Sequence, residues 1–428
     1  MNKAYRTIWN DALGAFVAAS EFGKSHGKGK SGAGAAVCDG RSDRRDGHDA
    51  STQHSSDSRV VALLVLMGLS GWGAQAQAQV NCSASPYNFY NGSSSCVGFQ
   101  SVASGAGDTA LGGSATASGG ASTALGFQTK ATNAAAVAVG SSAVANGANS
   151  VALGTSTTAN GDAAISIGYS NSANGLNAMA IGVFSTATGL NALALGQAAA
   201  ANSQSAIAFG VNSVATGINA LAMGAAAHAL AQTTIAVGAS ATANSTSGSS
   251  ISIGTNAQAI ASGTGGGSPV AIGVNANASG TSGTLLPGGG SSFEATALGN
   301  GSTATGAGST ALGVASRATG TWGTAVGLVA TASATNSTAL GTWSQATGAN
   351  SVAIGVGGST AATSVQASGA GAVALGGNAT AGAVASGSNA IAVGGQSSAS
   401  AASAIAIGNA AVASTTNGLA LGVSSAAV

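Results

Sequence analysis

From about residue 98 onward, small and large apolar side chains alternate in short runs that recur every fourteen residues. A tetrapeptide of aliphatic or Thr, small, aliphatic, Gly ends at Gly112, Gly126 and Gly140, and so on to Gly238. Irregular steps lead to Gly254, Gly273 and Gly299, and the period returns through Gly313, Gly327, Gly341 and Gly355. It slips at Gly376 and Gly394 and closes at Gly408 and Gly422, while Cys96-Val97-Gly98 is a degenerate first member. That makes 22 repeats.

The columns carry the prediction. Two residues before the glycine stands Ala or Ser in every repeat but the first, and the residue just before it is large and apolar. Five residues after it, Ala stands in 21 of 22 repeats, with Thr360 the exception. Four residues after, the column is mostly polar and collects Lys130, His228 and Arg317; a second glycine often follows at seven (Gly147, Gly161, Gly175). Alternation with period two belongs to strands, and glycines spaced by seven supply tight turns. Each repeat is therefore predicted to be one coil of an all-β, parallel β-solenoid with two strands of about five residues. So short a coil encloses an interior one side chain deep, which the Ala and Ser columns must fill.

The larger aliphatics then point outward. Val137, Val139, Val151, Leu153, Ile165, Ile167, Val352 and Ile354 belong to this stripe. Stacked at ~4.8 Å per coil, it forms an apolar face far larger than monomeric soluble proteins expose. Lateral self-association through that face is the expectation.

Segments such as Asn149-Ser-Val-Ala-Leu-Gly154 and Asn350-Ser-Val-Ala-Ile-Gly355 resemble the head repeats of trimeric autotransporter adhesins, the YadA-like family. The resemblance implies a left-handed parallel β-roll that assembles as a homotrimer. It also implies a non-enzymatic surface adhesin that attaches to host extracellular matrix such as collagen, to host cells, or to sister bacteria.

The N-terminus reads as an address. Residues 1–30, opening Met1-Asn-Lys-Ala-Tyr-Arg-Thr-Ile-Trp-Asn10, resemble the extended signal peptide region of type V secreted proteins. A polar stretch (31–59) follows, longer than that family's leaders lead one to expect, then the apolar run Val60–Leu69 and Ala74-Gln-Ala-Gln-Ala-Gln79 within 60–78. A charged region, an apolar run and an A-x-A site make a secretory signal, with cleavage expected after Ala78. Residues 79–97 then form an entry segment and 98–428 the head repeats. The repeats run to the last residues, Ser424–Val428, with neither a heptad stalk nor barrel strands. The expectation is a fragment or truncated product, displayed at the cell surface only if an anchor lies beyond it.

Composition narrows the function classes. Only 5% of the 428 residues are charged, and after Val60 the charged side chains are Asp108, Lys130, Asp162, Glu294 and Arg317. General acid–base work needs titratable groups brought together, and metal sites need clustered ligands. No cofactor, metal, small-molecule substrate or catalytic residue is therefore expected. Nor is nucleic acid, which demands a dense basic patch.

Three groups of side chains remain. Cys82 and Cys96 stand one period apart; if the first coil extends backward, both fall in the inward column at disulfide spacing. Phe127, Tyr169, Phe184 and Trp343 fall in the turns after the repeat glycine, and Trp322 follows the Gly320 turn. Contact surfaces favour aromatics, so these five are ligand-contact candidates, although turn aromatics can equally cover a coil edge. The insertion between Gly273 and Gly299, with Thr284-Leu-Leu-Pro287 and Phe293-Glu294, is a further candidate loop. The rival reading is an ice-binding or purely structural solenoid, since Thr116, Thr158, Thr186, Thr242, Thr303 and Thr331 share the polar column.

Overall fold

The computed structural model describes residues 5–10, 15–20, 94–246, 248–262, 267–280, 294–358 and 360–428. In the N-terminal unit, strands Tyr5–Asn10 and Ala15–Ser20 pair antiparallel, with Ile8 opposite Val17. The described chain from Ser94 onward belongs to a second unit.

It is a parallel β-solenoid of about 22 coils, and each coil gives one strand to a front sheet and one to a back sheet. Consecutive coils pair in register. On the front sheet Val151, Ala152 and Leu153 stand beside Ile165, Ser166 and Ile167. On the back sheet Thr158 and Ala159 stand beside Ser172 and Ala173. Most front strands have three hydrogen-bonded residues and most back strands two; three front strands, Val151–Thr155, Ile165–Tyr169 and Met179–Val183, reach five. The five-residue expectation is therefore too long for most coils, because each strand ends where the backbone enters a left-handed turn.

Four inward columns make the core. In one coil they are Ser150, Ala152, Thr157 and Ala159, all fully buried. The alanines fill the one-side-chain-deep interior as the small-residue columns require. Many of the hydroxyl-bearing members answer to the turns, although among the described residues the buried hydroxyls of Ser166, Ser185, Ser250, Ser309 and Ser351 find no hydrogen-bond partner. Thr129 donates to the Gly126 carbonyl at 2.9 Å, Ser213 to Gly210 at 2.9 Å, and Ser150, on the opposite turn, to Gly147 at 2.6 Å. A carbonyl in a tight turn and a buried hydroxyl would each be costly unpaired; together they satisfy one another.

The turns work differently from the expectation. The repeat glycine does need its freedom: Gly154 has φ +130°, and a Cβ there would strike the Gly168 carbonyl of the next coil. The left-handed residue of each turn, however, is usually not glycine. Ser156 (φ 55°) and Ala163 (φ 52°) hold that place in the same coil. Gly147, Gly161 and Gly175, the glycines spaced by seven, are absent from the positive-φ residues; a Cβ on Gly161 would meet the Gly175 carbonyl. Close approach of backbones, not turn geometry, favours glycine there.

The irregular steps are insertions into turns. A short 3-10 helix, Ala361–Thr363, interrupts the turn after Gly355, so that Ala367 stands beside Ala346 in the core. Thr360 is thus not an exception within the alanine column but lies outside it, exposed. Likewise Ala385, rather than Ala381, takes the inward place of the following coil.

Candidate interaction surface

The front sheet turns its larger aliphatics outward as the alternation demands. Val137, Val139, Val151, Ile165, Ile167, Val352 and Ile354 are half-buried, and Leu153 is 43% exposed. The column continues through Leu111, Leu125, Phe209, Met223, Leu298, Leu312 and Leu340, all exposed. No Asp, Glu, Lys, Arg or His falls in the front strands from Ser95–Val97 to Leu419–Leu421.

A second apolar ridge runs beside it, which the sequence reading found only where it is aromatic. The residue after the repeat glycine is exposed and apolar in many coils, including Phe99, Val183, Val211, Val274, Val314, Leu328 and Val356. Phe127 and Tyr169 belong to this ridge. The signal was available in the fourteen-residue register, in the column one place past the glycine.

The five aromatic candidates do not form one site. Tyr169 and Phe184, from adjacent coils, meet edge to face with centroids 5.5 Å apart, and both are exposed. Phe127 lies three coils away over Gly113, where a Cβ would come within 3.3 Å of its ring. Trp322 lies over Gly308 of the preceding coil on the opposite turn, and Trp343 is half-buried. Phe127 and Trp322 thus cover coil edges while leaving part of each ring open.

Cys96 occupies the inward column beside Ala110, is buried, and is disulfide-bonded. Cys82, the cleavage site at Ala78, and the loop residues Thr284–Phe293 lie outside the described residues.

Two polar features sit in the interior where the columns predict small side chains. Asp108 is fully buried, accepting from the Ser122 amide at 2.9 Å, the Ser122 hydroxyl at 2.8 Å and the Gly105 amide at 2.5 Å. Asn171 donates to the carbonyls of Ile167 and Gly182 and accepts from the Ser185 amide. Both are inter-coil staples rather than reactive groups. Among the described residues no three His, Cys, Asp or Glu side chains gather as a metal site. A hollow of about 580 Å³ on the back-turn edge is lined by Leu230, Gln232, Thr233, Asn244, Ser245 and Ser249 among others. The Thr233 and Ser249 hydroxyls stand 2.6 Å apart there, with no ionisable side chain in the lining to activate either.

Comparison with known proteins agrees with this geometry. The extended signal peptide of type V secretion systems matches residues 1–42. The YadA head domain repeat matches in overlapping windows from 103–129 to 215–241, from 291–316 to 332–357, and over 385–411 and 399–425. Together the head-repeat windows span more than half of the chain. No curated protein matches it.

Proposed function

The chain belongs to the YadA-head family of type V secreted adhesins, and on that footing we propose that its roll is the adhesive head of a homotrimer. The leader is of the kind that directs export across the inner membrane. The observation that carries the trimer is the continuous apolar face of the front sheet. At ~25 cal/mol per Å² of apolar area, leaving some twenty stacked aliphatic positions in water is unfavourable. Three copies meeting through that face remove it from water and leave the polar back sheet outside.

The ligand is read as host extracellular matrix, collagen among the candidates, or the host cell surface. Contact is spread along the repetitive outer surface rather than placed in a pocket, with the exposed Tyr169–Phe184 pair as one aromatic element of it. Sedimentation of the exported chain, alone and as a Leu153→Asp/Ile167→Asp variant, tests the assembly; binding to immobilised matrix proteins tests the ligand. A trimer that the charged variant breaks, with matrix binding lost alongside, is the expected result. A folded, soluble monomer at high concentration overturns the reading.

A further inference from the structure

The back-turn edge carries an unusual run of amides. Asn146, Asn160 and Asn174 occupy the same place in three consecutive coils, all exposed, and each is followed directly by glycine. Their side chains form one hydrogen-bonded file. Thr132 donates to Asn146 Oδ1 at 2.9 Å, Asn146 Nδ2 to Asn160 Oδ1 at 2.9 Å, and Asn160 Nδ2 to Asn174 Oδ1 at 2.8 Å. Such amide ladders are a natural product of in-register stacking.

The file ends at Asn174, because the next coil has Thr188, whose hydroxyl donates to the Asn202 carbonyl. The terminal amide is therefore unlike the others. Asn174 Oδ1 receives two donors, Asn160 Nδ2 and the Ser172 hydroxyl at 3.0 Å, whereas among the described residues no hydrogen bond holds its Nδ2. Two donors on the carbonyl oxygen draw electrons from Cγ, and an unheld amide nitrogen is freer to leave.

The neighbouring nucleophile is also loosely held. The Ala187 carbonyl accepts from the Asn174 amide at 2.8 Å... and, more weakly, from the Gly175 amide at 3.4 Å. Such a shared acceptor leaves its second branch weak. Gly161 and Gly147 share acceptors in the same manner, at 3.4 and 3.3 Å. Two other Asn-Gly pairs in the roll differ: the Gly301 and Gly418 amides each make a 2.8 Å bond.

We propose that Asn174 is a site of spontaneous deamidation, the first of the roll's Asn-Gly pairs to convert. The Gly175 nitrogen attacks Asn174 Cγ and gives up its proton; the N–Cγ bond forms, the Cγ–Nδ2 bond breaks and ammonia leaves. Water then opens the succinimide to aspartate or isoaspartate. Nothing is oxidised or reduced. The product places a new negative charge on an edge that carries Asp162 nearby in the stack, so the exposed surface of a long-lived head would change charge with age.

Peptide mapping by mass spectrometry, after the purified protein has stood in mildly alkaline buffer, reads each Asn-Gly pair in the same sample. Asn174 should convert fastest, Asn160 and Asn146 more slowly, and Asn300 and Asn417 slowest. Thr188→Asn extends the file by one amide and should slow Asn174 several-fold, to the rate of Asn160. Ser172→Ala, which removes one donor from Asn174 Oδ1, should slow it as well and serves if the first variant does not fold. Conversion at Asn300 or Asn417 as fast as at Asn174 overturns the proposal. So does an unaltered Asn174, or a rate that neither variant changes.

Discussion

The Tyr169 and Phe184 rings meet edge to face at 5.5 Å, with an interplanar angle of 83°, across adjacent coils. Phe184 does so from a left-handed backbone conformation, φ 57°, which costs a non-glycine residue roughly 1–2 kcal/mol. The ring contact returns about 0.5–1.5 kcal/mol. Phe184→Asn removes the contact but places at 184 a residue that tolerates this backbone, as Asn177 and Asn191 do on the other turn. Thermal unfolding of the variant should thus stay close to that of the parent. Binding to matrix should fall if the pair is a contact element, which a solid-phase assay measures.

The stacked glycines predict a sharper effect. At Gly168 the backbone has φ +131°, and a Cβ would strike the Gly182 carbonyl while lying 2.7 Å from Asn171 Nδ2. Gly168→Ala therefore combines backbone strain of about 1–3 kcal/mol with a clash against main chain that cannot swing aside. Denaturant unfolding should show a loss above ~2 kcal/mol, and hydrogen exchange should rise first in the coils flanking Gly168.

Neighbours in one inward column should respond with opposite signs. Ser166 is fully buried and its hydroxyl has no hydrogen-bond partner, while Ala152 and Ala180 stand beside it in register. Ser166→Ala should stabilise the roll by about 1 kcal/mol, since an unpaired buried hydroxyl is a net cost. Ala152→Leu should instead destabilise it by at least ~1–3 kcal/mol, for no space lies behind a column only one side chain deep. Paired urea titrations check both.

The alternation of Val151, Ala152 and Leu153 was readable because strand side chains change face with every residue. That was enough to place the core and the apolar face. What could not be read is held by long-range pairing. Ser156 and Ala163 carry no mark of left-handed backbone in their identity; their amides bond the carbonyls of Ser141 and Ala148 in the preceding coil, at 2.8 and 2.7 Å. The stack, not the residue, fixes that conformation. Thr360 falls out of the alanine column for a related reason: a count from Gly355 has no means of knowing that a short helix intervenes before Ala367 takes the inward place. The apolar ridge of Val183, Val211 and Leu328 is unmarked within any single coil, because one apolar residue beside a glycine is common; only the column one place past the repeat glycine shows it.

Cys96 invites a direct chemical test. Its expected partner is Cys82, one fourteen-residue period upstream in the sequence. The exported protein, denatured without reductant, should show no titratable thiol, and proteolysis should yield a Cys82–Cys96 peptide pair. Two free thiols would mean the first coil is not extended backward.

Asp108 makes the last and most demanding prediction. It is a fully buried carboxylate in a position where most coils carry Ala or Ser, and it serves three donors from two coils. Asp108→Ala leaves the amides of Gly105 and Ser122 without these bonds, at about 1–3 kcal/mol for each group that stays dry. Asp108→Asn keeps one oxygen for Ser122 but turns an amide donor toward the Gly105 amide, so it should recover only part of the loss. In a solenoid, stability is a sum of coil and neighbour terms, and damage near one end should stay near that end. Hydrogen exchange should therefore rise across coils ending at Gly98, Gly112 and Gly126 in Asp108→Ala, less so in Asp108→Asn, with protection beyond Gly154 unchanged. Uniform loss of protection along the whole roll would show that the coils unfold as a single unit.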